Sequence, residues 1–367
     1  MDWIITSDYI IGKNNFNEIE NNKIACFDLD GTLIKPLNEK QKMSISFDDW
    51  DFYCPYIYEK LNNYIKQNYS LIIITNQKML NSDEKINIFK KKIELFANKL
   101  KLSFKILISI KDNIYRKPNT KLWYDFCKGD IKNSFYCGDA GGLPKRNIND
   151  IKIMKDFKDT DLKFALNIGL KFIHRDEFIF NVNYSNDYKL SGLSYPIDFN
   201  KLNIGNYNYN PYFKNEIILL CGFPASGKSF FSKYIVDTFN YVSINQDTLK
   251  TIEKCKFNCE SNLKLNKNII IDNTNLTVAT RKNYIDLAKK YNYNIVCIIF
   301  NVPLEHCFHN NYFRYLYYSG TLIPKLVYYK MNKSYIKPSD SEGFDKIISL
   351  DFVLNFSLKN NYMLYLF

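Results

Sequence analysis

The sequence predicts an α/β protein of two domains, each built on a mainly parallel central sheet. Three observations lead to this prediction. Short apolar runs alternate along the chain with amphipathic helical patterns, which is typical of βαβ units. The length of 367 residues suits two domains of ordinary size. The stretch 185–213 breaks the alternation, because it carries Gly, Asn, Tyr and two Pro residues without periodicity.

The predicted strands are short apolar runs that suit a sheet buried on both faces. In chain order they are Ile24–Phe27, Leu71–Thr75, Phe104–Ile108, Phe135–Cys137, Ile217–Cys221, Ile269–Ile271 and Ile295–Phe300. Between them, spaced apolar residues predict helices over Ile86–Leu100, Lys228–Phe239 and Arg281–Tyr291. With the irregular stretch, these elements predict a first domain over 1–184, a linker over 185–213 and a second domain over 214–367.

The charge balance is basic, since 50 Lys and Arg residues against 38 Asp and Glu residues give a formal net charge of +12. Such a balance favours a polyanionic partner, but it does not identify a function. The lysine runs 90–92 and 289–290 fall on helical patterns whose other face is apolar. We therefore expect both runs to form solvated helix faces.

Composition excludes several classes of protein. A hydrophobic fraction of 46% excludes wholesale disorder. Nine cysteines without a CxxC pair and only three histidines argue against a disulfide framework, a zinc site and a histidine triad. No apolar run approaches the roughly 20 residues that cross a bilayer, and the first residues lack the pattern of a signal peptide. We expect an intracellular protein without membrane association, in the nucleus or the cytoplasm.

Polar side chains follow the predicted strands of the first half. Asp28 and Asp30 come directly after the first strand, in the sequence Asp-Leu-Asp-Gly-Thr, and Thr75, Lys117 and Asp139 follow later ones. The carboxyl ends of parallel strands meet at one edge of a sheet, so we expect these groups to lie together. Two carboxylates can share a divalent cation while one attacks phosphorus. The hydroxyl, the amine and the third carboxylate suit a phosphoryl transition state, so the pattern predicts phosphoryl transfer.

A phosphate-binding loop opens the second half. The sequence between a predicted strand and a predicted helix matches GxxxxGK[ST], the P-loop motif. Its residues are Gly222, Phe223, Pro224, Ala225, Ser226, Gly227, Lys228 and Ser229. Backbone N–H groups of such a loop bind phosphates, while Lys228 would reach the β and γ oxygens and Ser229 would hold Mg²⁺.

Three further residues of the second half are candidates for phosphoryl transfer. Asp247 is placed to take a proton from an attacking hydroxyl. Arg281, just beyond the segment Ile-Asp-Asn-Thr-Asn, and Arg314, in the segment His-Asn-Asn-Tyr-Phe-Arg, would stabilise charge on the γ-phosphate. Behind a P-loop, these residues favour a small-molecule or nucleic-acid kinase over a GTPase switch.

The ordered motifs of the first half resemble the haloacid-dehalogenase superfamily of phosphatases. A phosphatase of this type followed by a P-loop kinase resembles the bifunctional polynucleotide kinase 3′-phosphatases, which heal DNA ends. The resemblance extends from about residue 22 over nearly the whole chain. It depends on FDLDGTL, TNQ, YRKP, CGDAGG, KDF, FALNIGL, YPIDF, GFPASGKS, DTL, IDNTN, HNN and EGF.

The resemblance implies a Rossmann-like phosphatase domain followed by a P-loop kinase domain. In the phosphatase, Asp28 would form an aspartyl-phosphate and Asp30 would act as general acid and base. Thr75 and Lys117 would bind the phosphoryl group, and Asp161 is a further candidate for a supporting acidic role. Mg²⁺ would be held by the Asp28 carboxylate, the Asp30 main-chain carbonyl and Asp139.

The same resemblance implies two reactions on strand ends. The first domain would remove a 3′-phosphate from DNA, and the second would transfer the γ-phosphate of ATP to a 5′-hydroxyl. Mg²⁺ and ATP are then the expected cofactors, DNA ends the expected partner, and a ligase a further partner for a monomeric enzyme. Only about 22 residues precede the first predicted strand, so we expect no forkhead-associated domain and no docking to phosphopeptide scaffolds.

The sequence departs from the family in the second half. Gln246 stands where the family usually has Arg, and Tyr312 replaces another Arg. Loss of two positive charges near phosphates would weaken the kinase. Cys255 and Cys259 resemble a paired-cysteine segment of relatives, and two thiols without further partners suggest a structural role.

Three alternative functions stay open at this point. The same groups could act on RNA ends. The chain could be a DNA 3′-phosphatase whose decayed kinase binds ends, although the intact Lys228, Ser229 and Asp247 argue against decay. It could also join a small-metabolite phosphatase to a metabolite kinase, against which the agreement along the whole chain argues.

Overall fold

The computed structural model describes residues 1–15, 22–38, 46–184, 188–190, 202–318, 320–354, 362 and 364. Contacts divide the chain into two units, one formed by Met1–Tyr195 with Leu364–Phe367 and the other by Pro196–Met363. The division falls within the predicted linker, 185–213, of which 185–187 and 191–201 lie outside the described residues.

The first unit alternates strands and helices, as the sequence predicts. Its strands are β1 (Asp2–Ile5), β2 (Tyr9–Asn14), β3 (Lys23–Phe27), β4 (Ile34–Lys35), β5 (Asp51–Phe52), β6 (Tyr69–Asn76), β7 (Phe104–Ser109), β8 (Phe135–Gly138), β9 (Arg146–Ile148), β10 (Ile151–Ile153) and β11 (Lys171–His174). Its helices are α1 (Ile57–Lys66), α2 (Asp83–Leu100), α3 (Lys121–Phe126), α4 (Thr160–Ile168) and α5 (Arg175–Phe180), with a 3₁₀ turn at Ile131–Asn133.

A seven-stranded sheet in the order β1-β2-β7-β6-β3-β8-β11 forms the centre of the first unit. The strands from β7 to β11 in that order are parallel, and β1 and β2 extend the sheet as an antiparallel edge. Strand β3 is buried on both faces, since Ala25 and Phe27 join one apolar cluster while Ile24 and Cys26 join another. This double burial explains its continuous apolar sequence.

Helix α2 shows how local sequence sets an element. Ser82 caps its start by accepting a hydrogen bond from the Lys85 N–H, and Asp83 and Glu84 occupy its first turn. The apolar residues along one face are buried in the core of the unit; they include Phe89, Ile93, Phe96 and Leu100. The expected solvated face is only partly right, because Lys92 of the lysine run is buried.

The second unit repeats the alternation. Its strands are β12 (Asn203–Ile204), β13 (Glu216–Cys221), β14 (Val242–Ile244), β15 (Ile269–Ile271), β16 (Asn294–Phe300), β17 (Lys346–Leu350) and β18 (Val353–Leu354). Its helices are α6 (Lys228–Phe239), α7 (Gln246–Leu249), α8 (Ile252–Lys264), α9 (Val278–Tyr291), α10 (Leu304–Tyr318) and α11 (Lys325–Ser334), with a 3₁₀ turn at Asp340–Glu342.

Five parallel strands in the order β14-β15-β13-β16-β17 form the sheet of the second unit. The predicted α/β class with mainly parallel sheets is thus confirmed in both units. The described end of the predicted linker packs against this unit: the Tyr207 ring contacts Phe231, and the Tyr209 hydroxyl donates to buried Glu216 at 3.0 Å.

All nine cysteines are free thiols, and all are buried except Cys54, which is half-buried. Cys255 and Cys259 lie in the apolar core of the second unit, in agreement with a structural role. Within the described part of the chain, no helix combines the length and the apolar character needed to cross a membrane.

Candidate active sites

The first site lies where β3 ends between its neighbours β6 and β8. The Asp28 N–H continues the sheet by donating to the Cys137 carbonyl at 2.8 Å. Thr75 belongs to the end of β6, and Asp139 follows β8 directly. The topology therefore brings these predicted residues to one edge of the sheet. Asp28, Thr75 and Lys117 are all buried there.

Lys117 joins two carboxylates of this site. Its Nζ lies 2.7 Å from Asp28 Oδ1 and 2.8 Å from Asp161 Oδ1. Asn76 fixes the Lys117 main chain, because its side-chain amide accepts from the N–H and donates to the carbonyl, each at 3.0 Å. Burial alone lowers the pKa of Lys117, but the adjacent Asp161 and Asp28 outweigh it and raise the pKa overall. The lysine is therefore a fixed positive charge.

Three carboxylates converge beside this lysine. Oxygens of Asp28, Asp139 and Asp161 lie within 4.8 Å of one another. Burial raises the pKa of Asp28 against the effect of Lys117, and burial with the charge of Asp161 raises the pKa of Asp139 to about 6. Such crowded negative charge fits a divalent cation. Asp161, expected only in a supporting role, is thus a member of the cluster.

Glycine at position 138 makes room for this cluster. A Cβ atom there would collide with the Asp161 carboxylate. Because glycine leaves this space open, the Asp161 carboxylate can accept a hydrogen bond from the Ala140 N–H at 3.1 Å and one from the Tyr136 hydroxyl at 3.1 Å. The glycine of the sequence Cys-Gly-Asp is therefore required by the close approach of Asp161.

The carboxylate of Asp30 is held separately. Its Oδ1 lies 3.1 Å from Lys92 Nζ, and its Oδ2 accepts from the Gln77 side chain. Gln77 also donates to the Thr75 hydroxyl at 3.0 Å. Sequence reasoning missed Lys92, because α2 carries it to Asp30 from 62 positions away.

A buried ionic network supports the loop around Asp30. Arg175 donates to the Gly31 carbonyl at 2.9 Å and to Asp176 at 2.8 Å. His174 Nε2 lies 3.1 Å from the Asp139 carbonyl and 3.2 Å from Asp156 Oδ2. Sequence analysis did not identify this network, because the consecutive residues 174–176 meet partners from other segments of the chain.

The P-loop of the second site connects β13 to α6, as the motif predicts. Gly227 has φ of +98°, a left-handed conformation that glycine adopts readily. Lys228 Nζ donates to the carbonyls of Gly222 at 3.0 Å and Phe223 at 2.6 Å. Burial lowers the pKa of Lys228 to about 8, although Asp272 opposes this effect.

Asp272, at the end of β15, faces the P-loop. Its carboxylate accepts a hydrogen bond from Ser229, and burial raises its pKa against that bond. Asn245 donates to the Asp272 carbonyl at 2.8 Å and accepts from the N–H of Asp247 at 2.8 Å. Asp247 is thereby fixed at the exposed start of α7. Asp272 directly follows a strand, and this position could have indicated a role at the P-loop. The sequence analysis did not assign it that role.

The two predicted arginines differ in position. Arg314 is exposed and lines a pocket of about 470 Å³ together with Lys228, Ser229 and Asn310. Arg281 is fully buried and bound to Glu342 at 2.8 and 2.7 Å, and it also donates to the carbonyls of Asn275 and Ile336. The expectation that Arg281 binds the nucleotide is therefore corrected, because its guanidinium is buried and already paired with Glu342.

Comparisons with known proteins agree with this arrangement. A family model described as polynucleotide kinase 3 phosphatase matches residues 23–179, and one described as an AAA domain matches residues 249–338. The chain is 36% identical to a protein of Acanthamoeba polyphaga mimivirus named as a bifunctional polynucleotide phosphatase/kinase, over 98% of this chain and 92% of that protein. It is 33% identical to the bifunctional polynucleotide phosphatase/kinase of Schizosaccharomyces pombe, over 95% of this chain and 84% of the relative.

A third relative matches one half of the molecule. The polynucleotide 3′-phosphatase ZDP of Arabidopsis thaliana is 30% identical over 43% of this chain and 24% of its own length. The two nearly full-length matches extend across both the carboxylate cluster and the P-loop. The chain is a member of the bifunctional polynucleotide phosphatase/kinase family.

Proposed function

We propose that this enzyme heals broken DNA strands by removing 3′-phosphates and adding phosphates to 5′-hydroxyls. The observation that carries the proposal is the pairing of Lys117 Nζ with Asp28 Oδ1 at 2.7 Å inside a three-carboxylate cluster. This arrangement places a nucleophilic carboxylate, a fixed positive charge and carboxylates that can bind a metal ion next to one another. A P-loop in the same chain supplies the second reaction. The predicted boundaries, 1–184 and 214–367, assign one reaction to each domain.

The proposed phosphatase reaction has two steps. Lys117 holds Asp28 Oδ1, so Oδ2 is the atom that attacks the phosphorus. The bond from phosphorus to the 3′-oxygen breaks, and Asp30 donates a proton to that oxygen. Water then attacks the aspartyl-phosphate and gives a proton to Asp30, and inorganic phosphate leaves Asp28. Thr75 and Lys117 would bind the phosphoryl oxygens.

The cluster also fits Mg²⁺, because it concentrates carboxylate oxygens with raised pKa values. Asp28, Asp139 and the main-chain carbonyl of Asp30 would hold the ion, with Asp161 alongside. When bound, it would neutralise charge on the phosphate.

In the proposed kinase reaction the 5′-oxygen attacks the γ-phosphorus of ATP and its proton passes to Asp247. The bond to the β-phosphate oxygen breaks and ADP leaves. Lys228 and Arg314 line the pocket where phosphate charge would lie, and Ser229, bonded to Asp272, would hold Mg²⁺. The products carry 3′-hydroxyl and 5′-phosphate ends, which are the substrates of a ligase. We propose that the enzyme acts as a monomer.

The test uses a nicked duplex with 3′-phosphate and 5′-hydroxyl ends, Mg²⁺ and γ-labelled ATP, and follows each end separately. We expect both ends to be processed, with Asp28→Asn stopping only phosphate release and Lys228→Ala stopping only labelling. Identical nicks with RNA ends measure the preference for DNA.

Three outcomes would overturn parts of the proposal. Near-normal phosphate release by Asp28→Asn would remove the nucleophile assignment. A bare 5′-hydroxyl with normal phosphate release would show a decayed kinase, and Gln246 and Tyr312 would be the positions to examine. Faster processing of RNA ends would favour RNA repair.

A further inference from the structure

One residue of the P-loop has an unfavourable backbone conformation. Ala225 has φ of +58°, in the left-handed region that glycine occupies readily and alanine does not. It belongs to a tight turn, in which the Ser226 N–H donates to the Phe223 carbonyl at 3.3 Å and Pro224 precedes Ala225. Proline at the second position and positive φ at the third are typical of a type II turn, whose third position favours glycine. The local sequence therefore disfavours this conformation of Ala225, and contacts from elsewhere have to stabilise it.

The same turn sets the position of the P-loop lysine. The Phe223 carbonyl accepts the Ser226 N–H and also Lys228 Nζ, the latter at 2.6 Å. A change of backbone conformation at Ala225 would separate the two ends of the turn and displace the carbonyl that holds Lys228. Because the loop binds phosphate through its N–H groups and this lysine, phosphate binding depends on the conformation of Ala225.

A side chain of α10 holds the turn from outside the loop. Asn310 Nδ2 donates to the Ala225 carbonyl at 2.8 Å, although the two residues are 85 positions apart. Asn310 is only 7% exposed, so water competes little for this hydrogen bond. A second contact comes from α11, where the Tyr328 hydroxyl donates to the Pro224 carbonyl at the longer distance of 3.3 Å. The bond from Asn310 is thus the shorter of the two that hold the turn.

The orientation of the Asn310 amide is fixed at its other end. The Tyr362 hydroxyl donates to Asn310 Oδ1, and His306 Nε2 bonds the same hydroxyl. An asparagine side chain has an acceptor oxygen on one side and a donor NH₂ group on the other. With the oxygen directed to Tyr362, the NH₂ group is directed to the Ala225 carbonyl.

We infer that Asn310 is a positioning residue for nucleotide binding, which keeps Ala225 in its left-handed conformation and so keeps the P-loop ready to bind phosphate. The inference rests on the proposed kinase reaction and gives a role to a residue that the sequence analysis named only as part of the segment His-Asn-Asn. Only molecules whose loop has this conformation bind the nucleotide tightly. The apparent affinity therefore falls with the fraction of molecules in that conformation.

The first experiment measures binding of a fluorescent ADP, mant-ADP, to the full-length enzyme with Mg²⁺. We expect Asn310→Ala to raise Kd about tenfold, because the Ala225 carbonyl loses its donor and the loop leaves the held conformation. Asn311→Ala is the matched control and should leave Kd unchanged. Asn311 is also buried and also donates to a main-chain carbonyl, but that carbonyl belongs to Ile323, outside the P-loop, at 2.9 Å.

The second experiment tests whether Asn310 acts through Ala225. Glycine adopts positive φ without the steric cost that alanine has, so Ala225→Gly should partly replace the missing hydrogen bond. Added to Asn310→Ala, it should lower Kd again by about threefold. In the otherwise wild-type enzyme it should change Kd by less than about twofold, because the loop is already held. A merely structural role of Asn310 in α10 would give no such rescue.

Two results would overturn the inference. The first is an unchanged Kd in Asn310→Ala. The second is an equal loss of affinity with alanine and with glycine at position 225, because Asn310 would then act on the nucleotide itself or on α10. Asn310→Asp provides the same test if Asn310→Ala does not fold. It keeps the size of the side chain and the bond from Tyr362, but its carboxylate cannot donate to the Ala225 carbonyl.

The inference and the proposed kinase reaction can fail separately. If the wild-type enzyme binds mant-ADP but labels no 5′-hydroxyl, the proposed kinase reaction is wrong, and the Kd values still test Asn310. If it labels the 5′-hydroxyl and Asn310→Ala binds mant-ADP as the wild type does, only the role of Asn310 is wrong. Failure of the wild-type enzyme to bind mant-ADP would overturn both.

Discussion

Asp30 is held through both of its carboxylate oxygens, and this limits its orientations. Lys92 contacts one oxygen at 3.1 Å, and Gln77 donates to the other. Because the side chains of Lys92 and Asp30 are 7% and 27% exposed, this ion pair is partly shielded from the solvent that weakens surface pairs. We regard Lys92 as a positioning residue for proton transfer by Asp30.

We predict that Lys92→Met slows hydrolysis of a 3′-phosphorylated oligonucleotide at least about tenfold, the lower part of the range for misplaced groups. An aryl phosphate should be affected much less, since its leaving group needs no proton from Asp30. Steady-state kcat on both substrates checks this prediction. Lys91→Met, exposed on the same helix, is the control, and Lys92→Arg should restore part of the rate. Equal losses on both substrates would indicate a structural role only.

At the scale of elements, α10 and α11 brace the P-loop. Asn310 of α10 donates to the Ala225 carbonyl at 2.8 Å, and the Tyr328 hydroxyl of α11 donates to the Pro224 carbonyl at 3.3 Å. Two histidines of α10 contact Tyr362: His309 Nε2 lies 2.8 Å from its carbonyl and His306 Nε2 bonds its hydroxyl. Tyr362 in turn donates to Asn310. The histidines are thus linked to the P-loop through one asparagine.

These contacts predict acid sensitivity of the second unit. Burial lowers the pKa of His306 and of His309 to about 4, from an ordinary value of about 6.5. Between these values the unfolded chain binds more protons than the folded chain. Stability is therefore full above pH 6.5 and falls as the pH decreases towards 4, by up to about 1.4 kcal/mol per pH unit and histidine. Urea unfolding of the second unit from pH 7.5 to 4.5 measures the slope.

The variant His309→Gln provides the comparison. Its side chain can still donate to the Tyr362 carbonyl, but it does not titrate. We expect a shallower loss of stability with decreasing pH than in the wild-type enzyme. Equal slopes would show that other groups cause the acid sensitivity.

The elements that sequence predicts best are those with buried, continuous apolar runs. All seven predicted strands are present, each within three residues of its expected ends. Strands β1 and β17 were missed because they lie largely exposed or half-buried, which interrupts the apolar pattern. The site residues were likewise predicted only where a local sequence pattern marks them. Asp28 and Lys228 follow strand ends and motifs, whereas Lys92 and Arg281 are defined by partners 62 and 61 positions away, which periodicity does not reveal.

At the scale of the molecule, the chain contains two units with separate cores. The apolar clusters of Met1–Tyr195 and of Pro196–Met363 share no residues. The carboxylate cluster belongs to the first and the P-loop to the second. The described residues that form each site therefore belong to a single unit.

We predict two calorimetric unfolding transitions, of which only one responds to ADP with Mg²⁺. A ligand that binds one folded unit stabilises that unit by about 2.7 kcal/mol at a concentration of 100 Kd. Lys228→Ala should reduce the shift, whereas Asp28→Asn should leave it unchanged. A single transition that moves as a whole with ADP would contradict the prediction and indicate strong coupling between the units.

The burial of eight of the nine cysteines makes the thiols reporters of local opening. Burial raises the pKa of each of these eight, so little thiolate is present while the fold is closed. Thiolate is the form that alkylating reagents attack. Cys26, Cys127 and Cys137 report on the first unit, and the remaining five on the second. Mass spectrometry of alkylated peptides can therefore time the opening of each unit in the unmodified protein, without an introduced probe.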